Sequence, residues 1–399
     1  MARHWIITNR EVGRKRENGH FVERVTDDRR EPLPVFRIGQ LDLSTGATPT
    51  IDEMHRAVEL VEDDFVQGYD ALAPDENPER LAGSARLFLS LYQQMTAPAD
   101  PKKGDTLFFL HGFNYSWEDA LEHLLRLHRV YVEPPESPIG QILYFTWPSY
   151  GSSFRYPSDQ KIAQPSGTLL GRVFGKAVRF YQDFFRPRDG QPAFCGRKIH
   201  FAAHSMGNQV AQEFIRSIWD YEYLRMPMFG EVLLLNADLE WTGLEKDRPL
   251  HDLPEYCTRI HVYNHTGDNA LGVSESTKND GKRLGKYGPR DIDATPPRLV
   301  VADCSSLDGS VTLTPGGDPD QWAAVQALAR ADGRPFLATA ERITRLVGSR
   351  ERLFDHWGYL HRPEVVADIY KVLRGVSSSH ISTREQMRDR LFRLKPIAR

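Results

Sequence analysis

A serine stands between small residues at Ala203-His204-Ser205-Met206-Gly207. The strand candidate KIHFAA (198–203) precedes it, and a helix candidate, 207–218, follows. A serine on a tight strand-to-helix turn projects its hydroxyl from the sheet edge. Small residues two before and two after let strand and helix approach closely. This is the G-x-S-x-G elbow, with Ala203 in the place of the first glycine. Its chemistry is nucleophilic attack by Ser205 on an acyl carbon. A helix start also aims backbone N–H groups at a developing oxyanion. The plainer alternative is a serine that merely caps the helix.

A second signal is Leu110-His111-Gly112-Phe113, directly after the apolar run TLFFL (106–110). A His-Gly pair there lets the chain turn so that the next N–H faces the nucleophile. Phe113 and Met206 are the candidate oxyanion donors. A serine nucleophile needs a base, and the base an orienting carboxylate. In this architecture the order along the chain is Ser, then Asp or Glu, then His. Asp268, just past the strand candidate 259–264, is the first choice for the acid. Asp238, at the end of the strand candidate 231–237, is the alternate. His356 and His361 both fall before the closing helix and both qualify as the base.

The elements that position these residues are legible from residue 104 onward. The continuous apolar run TLFFL (106–110) reads as a strand covered on both faces, and 141–147, 198–203, 231–237 and 259–264 read as further strands. Helices are predicted over 116–132, 166–185, 207–218 and 363–373. Ser116 caps the first with Asp119 at the capping-box position, and Pro363 opens the last. Strands alternating with helices predict an α/β fold with a mostly parallel sheet and helices on both faces. Residues 1–103 are less regular. Strands are predicted at Trp5–Thr8 and Val35–Ile38, a solvated loop over 10–30, and helices over Ile51–Val66 and Pro78–Met95. The polar stretch 148–165 is expected to be a loop. Trp147 at its start reads as core, and Tyr150, Phe154 and Tyr156 either line an acyl pocket or pack on the sheet. The basic end, 376–399, reads as a solvated tail or surface helix.

Composition narrows the function classes. The chain has 399 residues, 51 basic and 54 acidic, with a net charge of −3. That balance argues against a nucleic-acid binder that works through net positive charge. Three scattered cysteines give neither a disulfide framework nor a zinc knuckle, and fit a reducing compartment. No signal peptide and no apolar run near the roughly 18 residues of a membrane span is present, so a cytoplasmic protein without membrane insertion is expected. No phosphate loop, H-E-x-x-H or EF-hand pattern supports a nucleotide, metal or other cofactor.

The motifs together carry a resemblance. LHGFN (110–114), WPS (147–149) with Tyr156 and Asp159, AHSMGN (203–208), Ala237-Asp238, YNHTGDNAL (263–271) and His356 before VVADI (365–369) resemble the α/β-hydrolase family known as domain of unknown function 900. Thr8-Asn9-Arg10 is similar to that family's opening strand. The resemblance spans about 104–375. It implies an α/β-hydrolase fold with Ser205, Asp268 and His356 as a triad, and its spacing to Asp368 favours His356 over His361. The organisation expected is 1–103 joined to the same domain, a core over 104–375 and a tail over 376–399. An insertion around 306–353 separates acid from base. Its segment 306–333 is expected to act as a cap or partner surface. The function expected is hydrolysis of a small-molecule carboxylic ester. Thioester or amide hydrolysis on the same site, and a catalytically silent interaction module, are the competing expectations.

Overall fold

The structure, a computed structural model, describes residues 1–17, 20–26, 32–46, 49–63, 68–149, 156–186, 195–278, 281–307 and 356–396. Thirteen strands among them form one sheet: β1 (Ala2–Thr8), β2 (Val12–Glu17), β3 (His20–Val25), β4 (Arg37–Leu43), β5 (Leu60–Glu62), β6 (Asp105–Leu110), β7 (Ile139–Thr146), β8 (Ile199–His204), β9 (Phe229–Leu235), β10 (Cys257–Asn264), β11 (Leu299–Asp303), β12 (Arg384–Arg388) and β13 (Leu391–Leu394). Their order is β12-β13-β11-β10-β9-β8-β6-β7-β1-β4-β5-β3-β2. From β13 to β1 neighbouring strands run parallel. The outer ladders, β12 on one edge and β4, β5, β3 and β2 on the other, are antiparallel.

Parallel strands need crossovers, and the helices supply them. They are α1 (Ile51–Ala57), α2 (Gly83–Thr96), α3 (Trp117–Leu127), α4 (Tyr156–Phe184), α5 (Gly207–Ile218), α6 (Asn269–Lys278), α7 (Leu284–Tyr287), α8 (Gly358–His361) and α9 (Pro363–Leu373). They cover both faces, which is why the central strands are buried and mostly apolar. All seven residues of β9 are buried. Phe174 of α4 and Phe214 of α5 pack on one face against Phe201 and Phe229. Leu121, Leu124, Ile369 and Val372, from α3 and α9, fill the other. Each such side chain withdrawn from water contributes about 1.5–3 kcal/mol. The α3 start is as the sequence predicts: Ser116 Oγ accepts from Asp119 N–H, and Asp119 Oδ2 accepts from Ser116 N–H.

Four expectations change. Residues 12–17 and 20–25 pair as the antiparallel strands β2 and β3, registered Val12 to Val25 and Glu17 to His20. Their charges, read as a loop signal, stand at the edge of the sheet, where charge deters pairing with another chain. The helix expected to Val66 stops at Ala57; Val58 is extended and the chain continues into β5. The loop expected up to residue 165 is helical from Tyr156, and α4 carries Pro165 in its interior. A proline reads as a boundary because it donates no backbone hydrogen bond, yet packing against α5 retains the helix. The basic end is neither tail nor surface helix but the hairpin β12–β13 on the sheet edge. The first hundred residues also join the main sheet, through β1 alongside β7.

One buried ion pair ties that final hairpin down. Arg384 donates to both carboxylate oxygens of Asp368 at 2.8 and 2.7 Å, and Tyr263 Oη donates to Oδ2 at 2.6 Å. Both side chains of the pair are almost fully buried. Removing one member strands the other charge away from water. Arg384→Ala is therefore expected to lower the unfolding free energy by about 3–5 kcal/mol. Urea denaturation measures this; a loss below about 1 kcal/mol would reduce the pair to the worth of a surface salt bridge.

Candidate active site

Ser205 follows directly on β8, with φ +53°, in the left-handed region that side chains avoid. Such backbone costs about 1–3 kcal/mol and persists where its surroundings over-determine it. Here Ser205 N–H donates to Leu235 O at 3.0 Å. Its carbonyl accepts from Asn208 N–H, Asn208 Nδ2 and Asp238 N–H at 3.0–3.1 Å. The tight turn also explains the small residues. A Cβ on Gly207 would stand 2.5 Å from His111 O and 2.8 Å from Leu110 O. Ala203 is fully buried. Met206 N–H opens the first turn of α5, where amides lack an intrahelical acceptor and the helix end is positive.

The His-Gly loop after β6 lies against this elbow. A Cβ on Gly112 would come within 2.9 Å of Ser205 Cβ, so the chain approaches the serine as only glycine allows. Phe113, the next residue, is half-buried. His111 holds the loop in place. Its Nε2 accepts from Trp147 N–H at 3.2 Å, so Nδ1 carries the proton and donates to Gly112 O at 2.7 Å. Burial first, and Arg10 second, push the His111 pKa well down, which keeps the ring neutral for this role. Trp147 stacks on His111 at 5.5 Å and its Nε1 donates to His111 O at 3.2 Å. The tryptophan is core, as its position at a strand end suggests. Arg10, fully buried two residues past the end of β1, donates to Thr146 Oγ1 and Tyr115 O and braces the same loop.

Asp268 lies in the turn after β10, fully buried. Its Oδ2 is 2.7 Å from His356 Nδ1 and accepts from Asn236 Nδ2 at 2.8 Å; Oδ1 accepts from Leu271 N–H at 3.0 Å. Burial alone would push this carboxyl up. His356, reinforced by Leu271 N–H and Asn236, holds it below the ordinary carboxylate value. His356 is in turn buried beside the elbow, its ring 4.7 Å from that of His204. An ionised carboxylate on Nδ1 fixes the imidazole tautomer and leaves Nε2 as the atom that accepts a proton.

The side chains of the two alternates have other partners, although Asp238 N–H donates to the Ser205 carbonyl. Asp238 Oδ1 accepts from Ser274 Oγ at 2.7 Å and faces Arg283 Nε at 3.4 Å. It lines a polar groove of about 310 Å³ with Gln160, Gln209 and Arg283. His361 ends α8, buried, and its pKa is pushed down to about 3 by burial and then by Arg126.

Sequence reasoning singled out His111 in the His-Gly turn but missed two supports, Asn236 and Arg10. Asn236, at φ +43°, orients Asp268. His111 and Arg10 set the glycine loop. Asn236 stands 32 residues from Asp268 in sequence, and only the adjacency of β9 and β10 brings them together. Tyr150, Phe154 and nearly all of the insertion expected at 306–353 lie outside the described residues. Among the described residues no group of three or more His, Cys, Asp or Glu side chains is placed to hold a metal ion, and no helix is long and apolar enough to cross a membrane.

No curated protein matches the chain. The profile of a family described as alpha/beta hydrolase of unknown function (DUF900) matches residues 93–316, a span running from the end of α2 past β11 and including the elbow, the glycine loop and the Asp268 turn. With that match over more than half its length, the chain belongs to the alpha/beta hydrolases of unknown function.

Proposed function

We propose that the protein is a serine hydrolase that cleaves carboxylic esters of small molecules through an acyl-enzyme. Ser205 Oγ attacks the carbonyl carbon while His356 Nε2 takes its proton. The tetrahedral oxyanion is held by Phe113 and Met206 N–H. Collapse breaks the bond to the alcohol oxygen, and the His356 imidazolium returns the proton to that leaving group. Water then repeats the sequence with His356 as base, and the carboxylic acid leaves. Asp268 stays ionised and orients the imidazole throughout. The observation that carries this reading is the 2.7 Å contact between Asp268 and His356, beside a serine at φ +53°. No nucleic acid, metal or cofactor enters the scheme. Three unpaired cysteines fit a reducing compartment such as the cytoplasm.

An acyl-enzyme has a kinetic signature. Stopped-flow mixing with a nitrophenyl ester is expected to release a burst of nitrophenol equal to the enzyme concentration, then a slower steady rate. Intact mass should show one acyl group added. Turnover of the matched thioester or amide, with none of the oxygen ester, would keep the site and change its substrate class. Absence of turnover on all three would favour the non-catalytic module.

A further inference from the structure

His204, the residue before the nucleophile, is unexplained by the elbow motif, where the position is variable. It ends β8 and is buried. Its Nε2 lies 2.9 Å from the backbone carbonyl of His356. A carbonyl only accepts, so Nε2 carries the proton and donates. Nδ1 is then a bare lone pair, and it has no hydrogen-bond partner. A buried polar atom left unpaired is a cost, and the ring accepts it while keeping the other bond. Burial foremost, then His356, pushes the His204 pKa well down, so the ring stays neutral and the donor stays singly defined.

We infer that His204 is a positioning residue: its Nε2–H grips the main chain of His356 and so sets the distance between nucleophile and base. The geometry makes the linkage short. One peptide unit joins His204 to Ser205, and one hydrogen bond joins His204 to His356. Asp268 holds the His356 side chain at Nδ1, and downstream Trp357 Nε1 donates to Tyr115 Oη at 3.4 Å and Tyr131 Oη to Tyr359 O at 2.6 Å. The His204 bond is made to the backbone of His356 itself. The His204 ring also packs 4.7 Å from the His356 ring and 4.9 Å from Tyr359, which leaves little room for the base to swing. A misplacement of about 1 Å at reacting groups costs on the order of 100-fold in rate.

This inference rests on the reading of Ser205 and His356 given above, and two variants test it apart from that reading. His204→Gln keeps a donor near the Nε2 position; His204→Phe keeps the flat ring without one. His204→Phe is expected to lower kcat roughly 10- to 100-fold with KM changed less than about threefold, and His204→Gln to restore most of kcat. The proton shared by His356 Nδ1 and Asp268 should give a far-downfield NMR signal, absent in His356→Ala. His204→Phe should broaden or shift it and His204→Gln should retain it. Where His204→Phe does not fold, His204→Asn, whose amide is too short to reach, takes its place. Equal kcat in the donor-less variant and wild type overturns the inference, as does equal loss in His204→Gln and the donor-less variant. Unchanged turnover in Ser205→Ala would instead overturn the reading of the site itself.

Discussion

Ser205→Ala is expected to lower kcat on a nitrophenyl ester by about a million-fold, the scale seen when a triad serine is removed from other hydrolases. The fold should survive. The substitution removes one oxygen, and the backbone bonds that hold residue 205 run through its N–H and carbonyl. Alanine at φ +53° keeps the strain that serine already bears. The melting temperature is therefore expected within a few degrees of wild type. Residual turnover above a per cent or so would mean that another group attacks the acyl carbon.

Asp268→Asn is expected to cost about 10⁴ in kcat, and Asp238→Asn far less. The asymmetry follows from donors. Both oxygens of Asp268 already accept: Oδ2 from Asn236 and His356, Oδ1 from Leu271 N–H. An asparagine there must point its own N–H₂ at one of those donors. If it faces His356, the imidazole is driven to the wrong tautomer and Nε2 can no longer take the serine proton. If it faces Leu271, a buried amide loses its acceptor. Asp238→Asn removes charge beside Arg283, so its cost falls on stability. The comparison is made by steady-state kinetics well below both melting temperatures. A greater catalytic loss for Asp238→Asn would move the acid to the end of β9.

Much of this arrangement is legible in the residues alone, and the reasons are local. Strands β6 to β10 announce themselves because both faces are covered, so each is rich in apolar residues. The elbow is legible because glycine at 207 and a small residue at 203 are forced by atoms nearby in space and predictable in kind. Ser116 and Asp119 reveal a helix start because they satisfy amides three residues away. The order of Ser205, Asp268 and His356 comes from chain topology. Features built from distant residues stay hidden. The strand pair 12–17 and 20–25 looks like a loop because charges on an edge strand and charges in a loop are alike in sequence. The final hairpin reads as a solvated tail because the pairing of Arg384 with Asp368 is invisible without the fold. Asn236, Arg10 and His204 act across 32, 136 and 152 positions, and no spacing rule reaches so far.

The central claim is that Ser205 is an activated nucleophile, and a fluorophosphonate probe tests it most directly. Such a probe forms a stable bond only with a serine whose proton is taken as it attacks. Incubation followed by peptide mapping should place one phosphonate per chain on the peptide holding Ser205. Ser205→Ala should take up none, and His356→Ala should react far more slowly. Labelling at another residue, or none on the folded protein, would contradict the account.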